Sequence, residues 1–276
     1  MIKLMYITNK PEIAKIAENN GVDRIFVDLE IKGKEERQGN LDTVISKHNI
    51  NDVGKIKKGL KKAELLVRVN PIYEKSKTEI DTVIKQGADI IMLPFFKTVE
   101  EVKTFIKIIN KRAKVCLLCE TPEAVMCIDK ILEVEGIDEI HIGLNDLHLG
   151  YKKKFMFELL IDGTVEKLCN KFNKAGIKYG FGGIAKIGTG TLPAEHIIIE
   201  HYRLGSSMAI LSRSFCNTKI VKELEEIETI FKKGVEEIRN FEKSIILKNK
   251  NEYEENKKII KSEVEQIVNS IKKTEE

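Results

Sequence analysis

The stretch HIGLNDLHLG, residues 141–150, carries one acid, Asp146, two histidines, His141 and His148, and two glycines, at the end of an apolar run. Carboxylates hold hard divalent cations and imidazoles move protons near neutrality, so the segment offers a metal ligand, an acid–base group, or both. Other polar residues end apolar runs in the same way. Asp28 and Glu30 close RIFVDLE (24–30), Arg68 and Asn70 close LLVRVN (65–70), and Glu120 closes KVCLLCE (114–120). Four carboxylates and one guanidinium brought to one place are costly to assemble unless a cation and an anion bind there. Each residue also has a structural alternative: Glu120 as an acid facing a helix dipole, Asp146 as a turn cap, Arg68 as the partner of Asp28, and His141 as a packed core histidine.

Whether these groups meet depends on the elements that carry them. Eight short apolar runs alternate with longer segments of helical period. Besides the three above they are KLMYIT (3–8), DIIMLP (89–94), EIHIG (139–143), YGFGG (179–183) and SMAIL (207–211). In TPEAVMCIDKILEVEG, Thr121 is the expected N-cap and Pro122 the first helical residue; in KTVEEVKTFIKIINKR, Val99, Val102, Phe105 and Ile108–Ile109 form one stripe. Runs this apolar are buried on both faces, as parallel strands are. NGVDRIF, QGADIIM and EGIDEIH repeat a Gly-x-Asp-x-Ile turn from helix into strand. Eight strands with intervening helices predict an α/β fold, a (β/α)₈ TIM barrel, in which residues at the C-terminal strand ends share one mouth. No G-x-G-x-x-G follows the first strand, which argues against a dinucleotide site.

The rest of the chain sets bounds. The 276 residues suit one large domain, and the net charge of +4, from 47 basic and 43 acidic residues, is interspersed, which argues against nucleic acid as a partner. No apolar run of membrane-spanning length and no signal peptide is present, so a cytoplasmic location is expected. The five cysteines sit mainly in apolar runs, and Cys116 and Cys119, three apart on a strand, should point to opposite faces. Residues 1–217 are read as the barrel and 218–276 as a C-terminal helical extension. There Leu224, Ile227, Phe231, Val235, Ile238, Phe241 and Ile245 form an apolar stripe. With the outer ring already filled, that stripe is expected to seek a second subunit, giving a homo-oligomer through the C-terminal helices. The segment from about Asn249 is expected to be loosely docked.

VRVN, GADIIMLP, LLCETPEAV and GIDEIHIGLNDLHLG together resemble the successive signature segments of the HpcH/HpaI aldolase and citrate lyase β-subunit superfamily, over roughly residues 20–215. FVDLE is similar to the Asp-Leu-Glu of the citrate lyase-like branch. The resemblance implies a barrel acting on pyruvate- or phosphoenolpyruvate-type substrates. It implies that Glu120 and Asp146 hold Mg²⁺ or Mn²⁺. Arg68 would bind a carboxylate or enolate oxygen, and the backbone around Gly143, Leu144 and Asn145 would cradle the substrate carboxylate. After the Glu of the second strand the aldolase branch has a histidine and the citrate lyase branch an aspartate; this chain has Ile31. Proton transfer is therefore assigned among Glu30, Asp28, His148 and a metal-bound water. The resulting expectation is a metal-dependent carbon–carbon lyase acting on a 2-oxo acid through a stabilised enolate. The alternatives are an acyl-CoA lyase like citrate lyase β or malyl-CoA lyase, and a barrel that binds a 2-oxo acid or phosphorylated metabolite without turnover.

Overall fold

The computed structural model describes residues 1–32 and 48–275. Eight parallel strands close on themselves in chain order. They are β1 (Lys3–Ile7), β2 (Arg24–Asp28), β3 (Glu64–Arg68), β4 (Ile90–Leu93), β5 (Lys114–Cys119), β6 (Glu139–Ile142), β7 (Lys178–Ile184) and β8 (Met208–Leu211). Between them run α1 (Pro11–Asn19), α2 (Ile50–Gly59), α3 (Ser76–Lys85), α4 (Val99–Ile109), α5 (Pro122–Met126) and α6 (Ile128–Leu132). After β6 come α7 (Leu144–Gly150), α8 (Glu158–Ile161) and α9 (Thr164–Lys174), then α10 (Ala194–Arg203) before β8, and finally α11 (Leu224–Ile245) and α12 (Lys250–Glu275). The fold is the expected TIM barrel, with a strand wherever an apolar run predicts one.

Because strand side chains alternate, each apolar run serves two cores. Met5, Phe26, Leu66, Ile90, Met92, Cys116, Leu118 and Met208 pack with one another inside the barrel. Leu4, Ile25, Val27, Leu65, Val67, Ile91, Leu117, Cys119 and Ile140 belong to the larger core under the helices. Cys116 and Cys119 thus fall on opposite faces of β5, and all five cysteines are free thiols.

The repeated Gly-x-Asp-x-Ile turns set the strand register. Gly21, Gly87 and Gly136 adopt φ of 91°, 98° and 95°, a left-handed backbone that costs glycine little. The aspartate two residues on then reaches back to the preceding strand. Asp23 accepts the Leu4 N–H at 2.8 Å, Asp89 that of Leu65 at 2.7 Å, and Asp138 that of Val115 at 2.8 Å.

Below the apolar interior lies a charged layer that the sequence pattern does not announce. Arg24 is fully buried. Its two terminal nitrogens each donate to Glu139 at 2.6 Å and its Nε donates to Glu64 at 2.9 Å. These residues join β2, β3 and β6 across the N-terminal end of the barrel.

The apolar stripe of the C-terminal region is covered by its own chain, which corrects the reason given for a second subunit. α11 packs against α1 and α10 and completes the helical ring, so Ile227, Phe231, Val235, Ile238 and Ile245 are buried. Glu242, buried on the same face, accepts from the Ile2 backbone N–H at 2.6 Å and the Tyr202 hydroxyl at 2.9 Å. The ring was not already full: α11 is the helix that follows β8. α12 is also seated more firmly than expected. Ile260 and Val264 are buried, and the buried Asn256 donates to the His196 carbonyl at 3.1 Å.

The charged layer makes a stability prediction. Glu139→Gln removes the main counter-charge of a buried guanidinium and should lower unfolding free energy by roughly 3–5 kcal/mol. A denaturant titration showing less than about 1 kcal/mol of loss would mean that Glu64 alone suffices to compensate Arg24.

Candidate active site

Arg68 and Asp28 are the last residues of adjacent strands and are register partners. That places their side chains side by side at the C-terminal end of the barrel. Nε and Nη2 of Arg68 donate to the two oxygens of Asp28 at 2.8 Å each, a planar two-point pair, and Nη1 lies 3.3 Å from Glu30 Oε2. Burial alone would lower the guanidinium's pKa, but Asp28, then Glu30 and Glu120, more than offset it and raise it. Arg68 is therefore a fixed cation among three carboxylates.

Glu120 follows β5 and is buried. Its Oε1 accepts the Phe95 N–H at 3.0 Å. Phe95 takes a left-handed φ of 49°, a conformation that non-glycine residues hold only when their surroundings enforce it. Thr121 then caps α5 by accepting the Ala124 N–H at 3.1 Å, and Pro122 opens the helix, as the sequence predicts. Gly143, which precedes α7, gives the Glu120 carboxylate its room: a Cβ there would stand 2.7 Å from Glu120 Oε2. Asp146, in the first turn of α7, is buried as well.

These groups face one cavity of about 780 Å³ at the C-terminal mouth, a volume within the roughly 300–1,000 Å³ usual for small-molecule sites. Asp28, Arg68, Glu120, Gly143, Leu144, Asn145 and Asp146 all line it. Glu30 does not; it is fully buried behind the lining, against Arg68. His148 does not line it either. Its ring is buried and bonds the Leu144 carbonyl of its own helix at 3.2 Å, which sets it apart from the cavity where proton transfer is required. Asn70 is taken up by the backbone: it accepts the Ile31 and Lys32 N–H groups at 3.0 Å each and leaves the Ile31 side chain 58% exposed.

Several lining residues have no counterpart in the sequence reading. His48 lies just before α2, lines the cavity, and accepts the Asp28 N–H through Nδ1 at 2.9 Å. Twenty residues separate it from the strand whose end it meets, so no motif marks it. Lys10 and Arg213 follow β1 and β8 and also line the cavity; the rule that strand ends carry the site would have found them.

His141 stands on the cavity floor, 1% exposed. Its Nε2 bonds the Gly182 carbonyl at 3.1 Å, while its Nδ1 has no hydrogen-bond partner among the described residues. Since a carbonyl only accepts, Nε2 carries the proton. Burial, with the charges of Arg24 and Arg68, pushes the ring's pKa down to about 4. His201, stacked on Phe181, is likewise pushed down to about 3 by burial and by His141.

The carboxylates fit a hard divalent cation. Asp28, Glu30, Glu120 and Asp146 are all buried, and buried carboxylates are stabilised by a bound cation. Among the described residues no three His, Cys, Asp or Glu side chains are grouped to hold a metal by themselves. Glu120 and Asp146 would leave the remaining positions to water and ligand oxygens, as Mg²⁺ sites commonly do.

Comparison with known proteins gives the lineage. The family model for HpcH/HpaI aldolase/citrate lyase matches residues 3–179. The chain belongs to this family. Members of the HpcH/HpaI family include aldolases and lyases, which supports an enzyme with lyase-type activity. Among solved structures, an HpcH/HpaI aldolase from Desulfitobacterium hafniense DCB-2 is 16% identical, with 86% of this chain and 93% of that one covered and a TM-score of 0.59. The citrate synthase SbnG is 17% identical, with 83% and 93% covered and a TM-score of 0.61. A family protein from Burkholderia cenocepacia J2315 is 11% identical, with 82% and 94% covered and a TM-score of 0.61. At such identities the likeness is one of fold. No curated protein matches the chain.

His141 gives the site a pH signature. The unfolded chain takes up this proton as pH falls below the ordinary value of 6.5, whereas the folded chain resists until about 4. The unfolded state binds more protons in that window, so stability present above it is lost as pH falls through it. Denaturant midpoints at pH 7.0, 5.5 and 4.5 should fall less steeply in His141→Gln than in the wild type. Parallel losses in the two proteins would show that this histidine does not contribute to the acid sensitivity.

Proposed function

We propose that the protein is a metal-dependent carbon–carbon lyase that cleaves or forms a 4-hydroxy-2-oxo acid through the enolate of pyruvate or a related 2-oxo acid. The observation that carries this reading is the convergence of Glu120, Asp146 and Arg68 on one cavity in a member of the HpcH/HpaI family. Glu120 and Asp146 would hold Mg²⁺ or Mn²⁺, which when bound supplies a Lewis acid beside the oxygen where negative charge develops. Arg68, its Nε and Nη2 fixed by Asp28 and its Nη1 near Glu30, would meet the substrate's carboxylate or enolate oxygen through its remaining N–H groups. The backbone at Gly143, Leu144 and Asn145 receives the carboxylate.

In the cleavage direction a base removes the proton of the 4-hydroxyl. The C3–C4 bond breaks, its electron pair becomes the enolate, the aldehyde departs, and C3 is reprotonated to give the 2-oxo acid. Asp28 is committed to Arg68, and His148 bonds the Leu144 carbonyl and is not among the residues lining the cavity. His48 lines the cavity, but its Nδ1 accepts the Asp28 N–H, so its Nε2 carries the proton and would donate a hydrogen bond to a substrate oxygen rather than take the hydroxyl proton.

Glu120→Gln and Asp146→Asn should each abolish metal-stimulated pyruvate release while leaving the circular dichroism melt nearly unchanged. An amide is a weak, uncharged ligand for a hard cation. Release of pyruvate that persists in the presence of a chelator would end the metal-dependent reading, and oxalate binding with no turnover over a broad substrate panel would favour a non-catalytic binding barrel.

Arg68→Lys should lower kcat/KM by roughly a hundredfold, because an ammonium cannot satisfy Asp28 at two points and still face the substrate. Rates within about threefold of wild type would return Arg68 to a purely structural role.

A further inference from the structure

The floor of the cavity presents one bare acceptor. Ile140 and Ile142 of β6 face the helices, so His141 between them projects to the inside of the barrel. Its Nε2 gives its proton to the Gly182 carbonyl at 3.1 Å, which leaves Nδ1 as a lone pair. That atom is buried and has no hydrogen-bond partner among the described residues. A buried acceptor left in this way is costly, because its hydration has been removed as well.

The surroundings show from which side a donor can come. Below the ring, Arg24 directs its Nε to Glu64 and its two terminal nitrogens to Glu139. Beside it, the register partners are Leu118 on β5, which is apolar, and Gly180 on β7, which has no side chain. Towards the mouth, Nε and Nη2 of Arg68 donate to Asp28, and Nη1 lies near Glu30. What remains is the cavity, which His141 lines together with Leu118 and Gly182. Burial, with the charges of Arg24 and Arg68, holds the ring's pKa down at about 4, so the imidazole is neutral near pH 7 and Nδ1 keeps its lone pair.

We infer that His141 is a specificity-determining residue whose Nδ1 accepts a hydrogen bond from a hydroxyl of the bound ligand at the floor of the cavity. The inference rests on the carbon–carbon lyase reading for which hydroxyl this is, the 4-hydroxyl of the 2-oxo acid, and on the geometry of the ring for the acceptor. A ligand with only hydrogen or a methyl group at that place leaves the lone pair buried and unmet. A carbonyl or carboxylate oxygen there sets lone pair against lone pair. The site therefore favours a hydroxylated ligand over its deoxy counterpart, as sites built to bond a substrate hydroxyl do. In the cleavage direction the same contact orients the O–H whose proton must leave.

The test uses the full chain with Mg²⁺ and the pair 2,4-dihydroxybutanoate and 2-hydroxybutanoate, matched in configuration at C2. They differ only by the 4-hydroxyl, and neither can be cleaved, because C2 is not a carbonyl. Oxalate, which carries no hydroxyl, is the control for the rest of the site. By calorimetry the wild type should bind the dihydroxy acid at least about tenfold more tightly than the monohydroxy acid. His141→Phe keeps an aromatic ring but has no acceptor; it should lose the preference and keep its oxalate affinity. His141→Asn carries an amide oxygen near the place of Nδ1 and should retain most of the preference. Should His141→Phe lose oxalate as well, the His141→Asn result decides, a retained preference supporting the inference and a lost one refuting it. Equal affinities in the wild type mean that water alone meets Nδ1, and they refute the inference even where oxalate binds. Binding of neither hydroxy acid, or a preference that persists in His141→Phe, refutes it too. If the preference follows the acceptor while oxalate fails to bind, the enolate reading falls and the hydroxyl site stands.

Discussion

The mouth of the barrel is organised around one guanidinium. Arg68 is held in its plane by Asp28 on the adjacent strand and drawn toward Glu30, with Glu120 close enough to stabilise its charge further. A buried cation of this kind cannot rotate away, since leaving the Asp28 fork would strand two buried charges. Its fixed position in turn restricts what can enter the cavity that Glu120 and Asp146 also line.

A second ion cluster closes the opposite end. Arg24, Glu139 and Glu64 tie three strands together, and the apolar interior of Met5, Phe26, Leu66, Ile90 and Met92 separates them from the mouth. The two clusters resemble each other in composition and differ in setting. At the lower end Arg24 has no exposure and its partners consume its donors. At the mouth the groups border a large cavity. The division follows the usual separation in such barrels between an end that holds the fold together and an end that does chemistry.

The helical ring depends on the last part of the chain. α11 fills the gap between α1 and α10, and Glu242 fastens it to the first residues of β1. The same seam of β1 and β8 carries Lys10, Arg213 and Lys219 into the cavity. Closure of the barrel is thus set where β1 meets β8.

Local pattern by itself determined the barrel. Eight apolar runs buried on both faces have no other economical arrangement with eight helical partners, and the Gly-x-Asp turns fix where strands begin. It also marked Asp28, Arg68, Glu120 and Asp146, because polar residues at the ends of such runs must project from one mouth. Tertiary structure alone decided which of these share the cavity. Glu30 lies behind Arg68 because it follows the end of β2, where strand alternation no longer sets its direction, and His148 bonds its own helix because the i−4 carbonyl was within reach. His48 could not be read in advance, since it meets the site through a contact between residues 20 apart across a loop. Nor could the burial of the α11 stripe, because amphipathicity shows that a helix face must be covered but not by which surface. That choice is made by the shape of the gap between α1 and α10, a property of the closed ring and of no local segment.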